Sequence, residues 1–127
     1  VRFGRDYGWP QVTLGAQYRD LTLPGQDRTL AANHFETPAF AWTPSIATSD
    51  LIDLTGSEFE HWQGDLMVST LADRALYRVR LIDDTPILAE RIPVFERVRD
   101  LVQDREGRIV FWTDRAVIGV IEAVDAP

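Results

Sequence analysis

The sequence predicts an all-β fold of antiparallel four-stranded meanders, and three observations predict it. Short β-favouring runs follow one another from residue 50, at 50–54, 65–71, 75–81, 86–93, 97–102, 108–114 and 117–123. Turn signals separate them: TGSE (55–58), ADR (72–74), DDTP (83–86) and DREG (104–107). The spacing of eight to twelve residues between runs suits strands that fold back on their neighbours. The first four runs make one sheet and the last three a second sheet short of a strand. Repeated meanders of this kind are the sequence pattern of propeller blades, and two blades cannot close a ring. The expected consequence is missing chain, or self-association through exposed strand edges as a homo-oligomer.

Taken in order, residues 1–49 form an irregular lead-in, punctuated by Gly4, Gly8, Pro10, Gly15, Pro24, Gly25 and Pro38. One short strand is expected near Gln11–Leu14. Loops this long are uncommon in compact domains and are often functional. Residues 50–93 are read as one four-stranded blade and residues 97–123 as three strands of a second. The run ALYRVRL (75–81) illustrates the signal, alternating apolar and polar side chains imperfectly but at strand period.

Composition narrows the chemistry. With 127 residues, 45% hydrophobic and 26% charged, the chain has the make-up of a globular domain with a core of its own. No apolar run approaches the roughly 20 residues that span a bilayer as a helix. The net charge of -7 argues against a nucleic-acid surface. All 13 basic residues are arginine, which removes a lysine Schiff base or a phosphate-loop lysine from consideration. The absence of cysteine removes disulfides, zinc–thiolate sites and a cysteine nucleophile. The chain begins at Val1, its one methionine is Met67, and no charged-then-apolar leader opens it, so either an initiator was removed or this is a piece of a longer polypeptide, and the motifs below favour the piece.

Few residues then remain to carry function. Arg97 and Arg99, in ERVRD (96–100), stand two apart, so on a strand both guanidiniums leave one face. Glu96 and Asp100 would pair with them if they were ordinary surface arginines. Asp114 could orient either one. Asp83–Asp84 and Glu58/Glu60 fall in turn regions, where acidic residues bond to the local backbone, so solvated turns are expected rather than a metal site. His61 is expected at the surface, and His34 lies in the irregular segment. Of the four tryptophans, Trp62 and Trp112 are assigned to packing and Trp9 to a cavity rim.

Several phrases carry a resemblance. GRDYGWPQVTLG (4–15), FAWTPSIATSDLI (40–52), FEHWQGDLMVSTL (59–71), ALYRVRL (75–81), RVRDLVQDREGRI (97–109) and WTD (112–114) occur in the order and spacing of the glucose/sorbosone dehydrogenase family. In those phrases the chain resembles the C-terminal third of the soluble sugar dehydrogenases that use pyrroloquinoline quinone (PQQ) on a six-bladed β-propeller. The resemblance implies that Arg97 and Arg99 match the family's cofactor-facing arginine pair. It also implies that Trp42 and Ser45 belong to the cofactor wall. PQQ is a flat ortho-quinone with three carboxylates, which guanidinium forks suit through bidentate pairing and planar contact.

Some positions depart from the family pattern. The glucose dehydrogenase branch has a lysine beside the quinone after a serine–leucine pair, whereas Thr70 and Leu71 are followed here by Ala72. The aldose-sugar or sorbosone-type branch is therefore the closer match. Asp6 stands where the family usually has asparagine, and Thr48–Ser49–Asp50 replaces proline–serine–glycine. The catalytic histidine and the calcium-binding segment belong to earlier blades of the family. A fragment contributing part of the cofactor pocket, with an aldose as the whole enzyme's substrate and a periplasmic or secreted location, is thus expected. The alternative is a free-standing non-catalytic β-module that acts in binding or self-association.

Overall fold

The structure, a computed structural model, describes residues 3–8 and 35–124. The strand expected near Gln11–Leu14, Trp9 and His34 lie outside the described residues. The chain divides into two compact units, Val1–Ser45 and Ile46–Pro127. In the described part of the first, the Asp6 carboxylate accepts the Gly8 backbone N–H at 2.8 Å, while the Asp6 carbonyl accepts that of Glu36 at 2.8 Å. An asparagine side-chain oxygen would accept the same bond, so aspartate replaces it without losing the turn.

The second unit contains seven strands: β1 (Thr48–Asp53), β2 (Leu66–Thr70), β3 (Ala75–Ile82), β4 (Thr85–Pro93), β5 (Val98–Gln103), β6 (Ile109–Thr113) and β7 (Ile118–Ile121). They form two antiparallel meanders, a four-stranded sheet in the order β1-β2-β3-β4 and a three-stranded sheet in the order β5-β6-β7. Among the described residues the fold is all-β, one four-stranded and one three-stranded sheet of a propeller-like kind. A short 3₁₀ helix, Glu60–Trp62, is the one helical element among the described residues. None of their helices is long and apolar enough to cross a membrane.

Local chemistry places the turns. Asp83 and Asp84 link β3 to β4 with φ of 48° and 60°, the paired positive values of a tight hairpin turn, which aspartate tolerates well. The Asp104 carboxylate accepts the backbone N–H groups of Glu106 and Arg108, closing the turn between β5 and β6 at Gly107, whose φ is 92°. Asp83 and Asp84 are exposed in their turn, as expected; of Glu58 and Glu60, Glu60 is exposed while Glu58 is half-buried and accepts the Ala123 N–H at 2.8 Å. Thr70, fully buried at the end of β2, closes the next hairpin: its hydroxyl donates to the Ala75 carbonyl and accepts the Ala75 N–H.

The core lies between the two sheets. Leu54, Met67 and Leu76 from one side meet Val98, Leu101 and Ile109 from the other, with Ile52, Trp62, Ile92 and Phe111 packed around them. Trp62 stacks on Phe59 with ring centroids 4.6 Å apart, and the Arg78 guanidinium lies 5.0 Å from its ring. Trp112, assigned to packing, takes no part in this core. Strand alternation turns Ile109, Phe111 and Thr113 inward, so Trp112 points out between Asp100 and Ile118 and is 55% exposed. Val102 and Val120 are exposed as well, so this outer face is an open apolar surface.

Two close approaches fix the packing of the three-stranded sheet. The Gln103 side chain ties the loops, accepting the N–H groups of Thr55 and Gly56 and donating to the Gly107 carbonyl. Gly119 sits opposite Phe111, and a Cβ there would lie 2.2 Å from the ring. Gly119→Ala should therefore force the half-buried ring off its seat and destabilise the protein by about 1–3 kcal/mol, the usual cost of overpacking. Urea denaturation measures it; unchanged stability would mean that the ring relocates freely.

Candidate functional site

Arg97 and Arg99 converge on one carboxylate, by a route that differs from simple alternation. Arg97 stands just before β5, and Arg99 lies within a bulge, because Val98 pairs with Thr113 while Asp100 already pairs with Trp112. The extra residue bends the strand and re-aims its side chain. Arg97 Nε donates to Asp114 Oδ2 at 2.6 Å, and Arg99 Nε donates to Asp114 Oδ1. Arg97 is also anchored by its Nη1, which donates to the Leu71 carbonyl at 3.3 Å, and by its own carbonyl, which accepts the Asp114 N–H at 3.1 Å. Glu96, one of the two partners expected of ordinary surface arginines, pairs with Arg115 at 3.6 Å instead.

The electrostatics follow from this sharing. Two guanidiniums held by one carboxylate leave a local excess of one positive charge, and among the described residues each Nε is used while most Nη hydrogens are not. The Arg97 and Arg99 side chains are 43% and 48% exposed, so the pair lies half-open at the protein surface. Hydrogen bonds from Arg99 and then Arg97 hold the Asp114 carboxyl below the ordinary aspartate range. The arrangement is a positively charged fork, able to grip an anionic, planar group bidentately.

Blade contact supports the fork from behind. β1 and β5 are the edge strands of their sheets, and β1 supplies side chains to the backbone of β5. The Ser49 hydroxyl donates to the Val98 carbonyl at 2.6 Å, and Asp50 Oδ2 accepts the Leu101 N–H at 3.1 Å. Burial pushes the Asp50 carboxyl up, but the N–H groups of Leu101 and Leu51 and the Asp100 side chain outweigh it, leaving the group lowered. The Thr48–Ser49–Asp50 stretch is therefore a bulged strand that braces the neighbouring blade. Sequence reasoning marked it only as a departure from the family pattern.

The remaining sequence candidates lie elsewhere or in the other unit. Trp42 is half-buried and meets Phe40 edge-on, with centroids 4.7 Å apart; Ser45 is exposed, and both belong to the first unit. Ala72, at the position of the other branch's lysine, follows the Leu71 carbonyl that holds Arg97, and its N–H donates to the Ile46 carbonyl. His61 is exposed on the 3₁₀ helix, where its carbonyl accepts Arg80 Nη2 at 2.9 Å. Among the described residues no group of three histidine or acidic side chains is arranged to hold a metal ion.

Comparison with known proteins places the chain in a family. Residues 1–120 match the family model Glucose / Sorbosone dehydrogenase, and the chain belongs to that family. It is 32% identical over 116 residues to the uncharacterized protein slr1608 of Synechocystis, covering 91% of this chain and 28% of that protein. It is 28% identical over 118 residues to the aldose sugar dehydrogenase YliI of Escherichia coli, covering 89% of this chain and 31% of that one. Among solved structures, a glucose dehydrogenase superposes with a TM-score of 0.81 at 27% identity, over 97% of this chain and 36% of the other. The soluble aldose sugar dehydrogenase of Escherichia coli, in its apo form, shares the fold with a TM-score of 0.76. The chain thus spans about a third of the length of these relatives.

The charge arrangement has a pH signature. A carboxyl whose pKa falls on folding contributes stability that is fully present above its unfolded pKa of about 3.9. That contribution is lost as pH falls through the lower folded value. The difference in thermal midpoint between the wild type and Asp114→Asn should stay constant from pH 7 to about pH 5 and shrink below about pH 4. Thermal scans by circular dichroism check this, and a pH-independent difference would contradict it.

Proposed function

We propose that this chain is the C-terminal portion of a PQQ-dependent sugar dehydrogenase of the aldose- or sorbosone-type branch, contributing part of the cofactor pocket. The observation that carries the reading is the shared-carboxylate fork of Arg97, Arg99 and Asp114. Its fit to PQQ is chemical. A flat group bearing three carboxylates suits fixed positive charge with planar donors, and the fork offers a net positive charge with Nη groups that the Asp114 carboxylate does not engage. An arginine pair neutralised by two carboxylates, or one with every donor engaged inside the protein, would not suit such a ligand.

In this reading Arg97 and Arg99 bind and orient the cofactor's anionic oxygens, and Asp114 keeps the two guanidiniums parallel in purpose and fixed in place. Trp42 and Ser45, in the first unit, keep the cofactor-wall role that the family resemblance implies for them. When bound, PQQ supplies the acceptor for the two electrons removed in oxidising an aldose. Positive charge held beside the ring stabilises the negative charge that reduction brings. The catalytic base and the calcium ion come from family segments outside the phrases matched here, so the chain by itself is not catalytically complete. The aldose substrate and a periplasmic or secreted location accompany this reading as part of the proposal.

PQQ titrated into the chain at low ionic strength, followed by tryptophan fluorescence quenching, tests the pocket. Arg97→Gln/Arg99→Gln should weaken binding at least roughly tenfold, since charge-assisted pairs of this kind are worth about 1.5–3 kcal/mol each before screening. Equal binding by the wild type and the double variant, or none by the wild type, would overturn it.

A further inference from the structure

The fork has two guanidiniums, but the peptide between them is held by the neighbouring blade. Ser49 is the extra residue of a bulge in β1, where Thr48 pairs with Thr70 while Asp50 already pairs with Ser69. Its hydroxyl lies 2.6 Å from the Val98 carbonyl and 2.8 Å from the Ser69 hydroxyl. A serine has one hydroxyl hydrogen. Because the carbonyl can only accept, Ser49 donates to Val98, and the 2.8 Å contact is then a bond from Ser69 to Ser49, much shorter than the 3.5 Å from the Ser69 hydroxyl to its other acceptor, the Asp50 carbonyl. Ser69 is fully buried, so this two-step relay is sheltered from water at its base. Val98, also fully buried, is the residue between Arg97 and Arg99.

The bulge in β1 therefore meets the bulge in β5. A bulge disrupts the ladder and leaves the strand's direction to be set by other contacts. For β5 those contacts come from β1, through Ser49 on Val98 and Asp50 on Leu101, one on each side of Arg99 and Asp100. Buried backbone groups without partners are costly, so the Val98 carbonyl has reason to stay on the Ser49 hydroxyl. Arg97 is tied to the same neighbouring blade through the Leu71 carbonyl, which follows the end of β2.

We infer that Ser49 is a positioning residue for the arginine fork, with its hydroxyl, oriented by Ser69, fixing the Val98 peptide and so the spacing of Arg97 and Arg99. The consequence for ligand affinity rests on the cofactor reading; the positioning itself does not. Neither serine touches the bound group in this account, and both act through the backbone.

The test separates the two. Hydrogen exchange of the arginine Nε protons is followed by ¹⁵N NMR, with signals assigned through Arg97→Lys, Arg99→Lys and Arg91→Lys. Arg91 serves as a distant control because its Nε bonds to Asp73 at 2.6 Å on the other sheet. In Ser49→Ala the Arg97 and Arg99 protons should exchange roughly tenfold faster, as expected when one supporting hydrogen bond is lost, while Arg91 stays unchanged. Ser49→Thr, which keeps the hydroxyl, should restore both to within about twofold of the wild type. Affinity for PQQ should follow the same order. Should Ser49→Ala fail to fold, Ser69→Ala leaves the Val98 bond but frees its donor, and should speed the same two protons by a smaller factor. Unchanged exchange at Arg97 and Arg99 in the folded alanine variants would overturn the inference, as would equal acceleration at Arg91. If exchange behaves as expected but PQQ binds no form, the positioning role stands and the cofactor reading falls.

Discussion

Two guanidiniums placed side by side repel, and the rest of the site depends on how Asp114 resolves that. One carboxylate between them supplies the attraction that holds both, yet it cancels only half of their charge. A second acid would have produced a neutral, inert cluster; no acid would have let the side chains drift apart into water. The excess of one charge, on groups roughly half-exposed, is both a stable arrangement and an unfinished one. Surface pairs of this sort contribute little to stability, and their worth is geometric. The fork's value lies in having its donors already aimed.

That geometry is maintained by features of the sheets rather than by the arginines. The bulge in β5 brings Arg99 to the carboxylate that Arg97 already reaches. The bulge in β1 brings Ser49 to the Val98 carbonyl, and Asp50 to the Leu101 N–H. Edge strands normally present unpaired backbone groups, and here one edge strand partners another through its side chains. Beneath them, the core of Leu54, Met67, Leu76, Val98, Leu101 and Ile109 fixes the distance between the two sheets. The sequence of causes therefore runs from apolar packing, to edge contact, to bulge, to charged fork.

Much of this was legible in the residues, for identifiable reasons. Alternation and turn chemistry marked all seven strands, because Asp83–Asp84 and the DREG turn need particular backbone conformations and particular side chains to reach them. The convergence of Arg97 and Arg99 was anticipated from a two-residue period. In the structure Arg97 precedes the strand and Arg99 occupies a bulge, so the same outcome has a different cause. A bulge adds one residue to a strand and leaves no mark in composition. For the same reason Ser49 carried no signal, and only its contact with Val98 discloses its role. Trp112 shows the opposite limit: its size suggested packing, but its parity on β6 turns it to the open face. The pairing of Asp114 with both arginines could be guessed from its place at a strand end, although sharing between two partners could not.

The most direct measurement is the titration of the Asp114 carboxyl carbon by ¹³C NMR, in the wild type and in Arg97→Gln/Arg99→Gln. The shared fork predicts a wild-type midpoint clearly below the ordinary aspartate value of about 3.9, moving back toward that value when both guanidiniums are removed. An ordinary midpoint in both proteins would show that Asp114 does not hold the two arginines together.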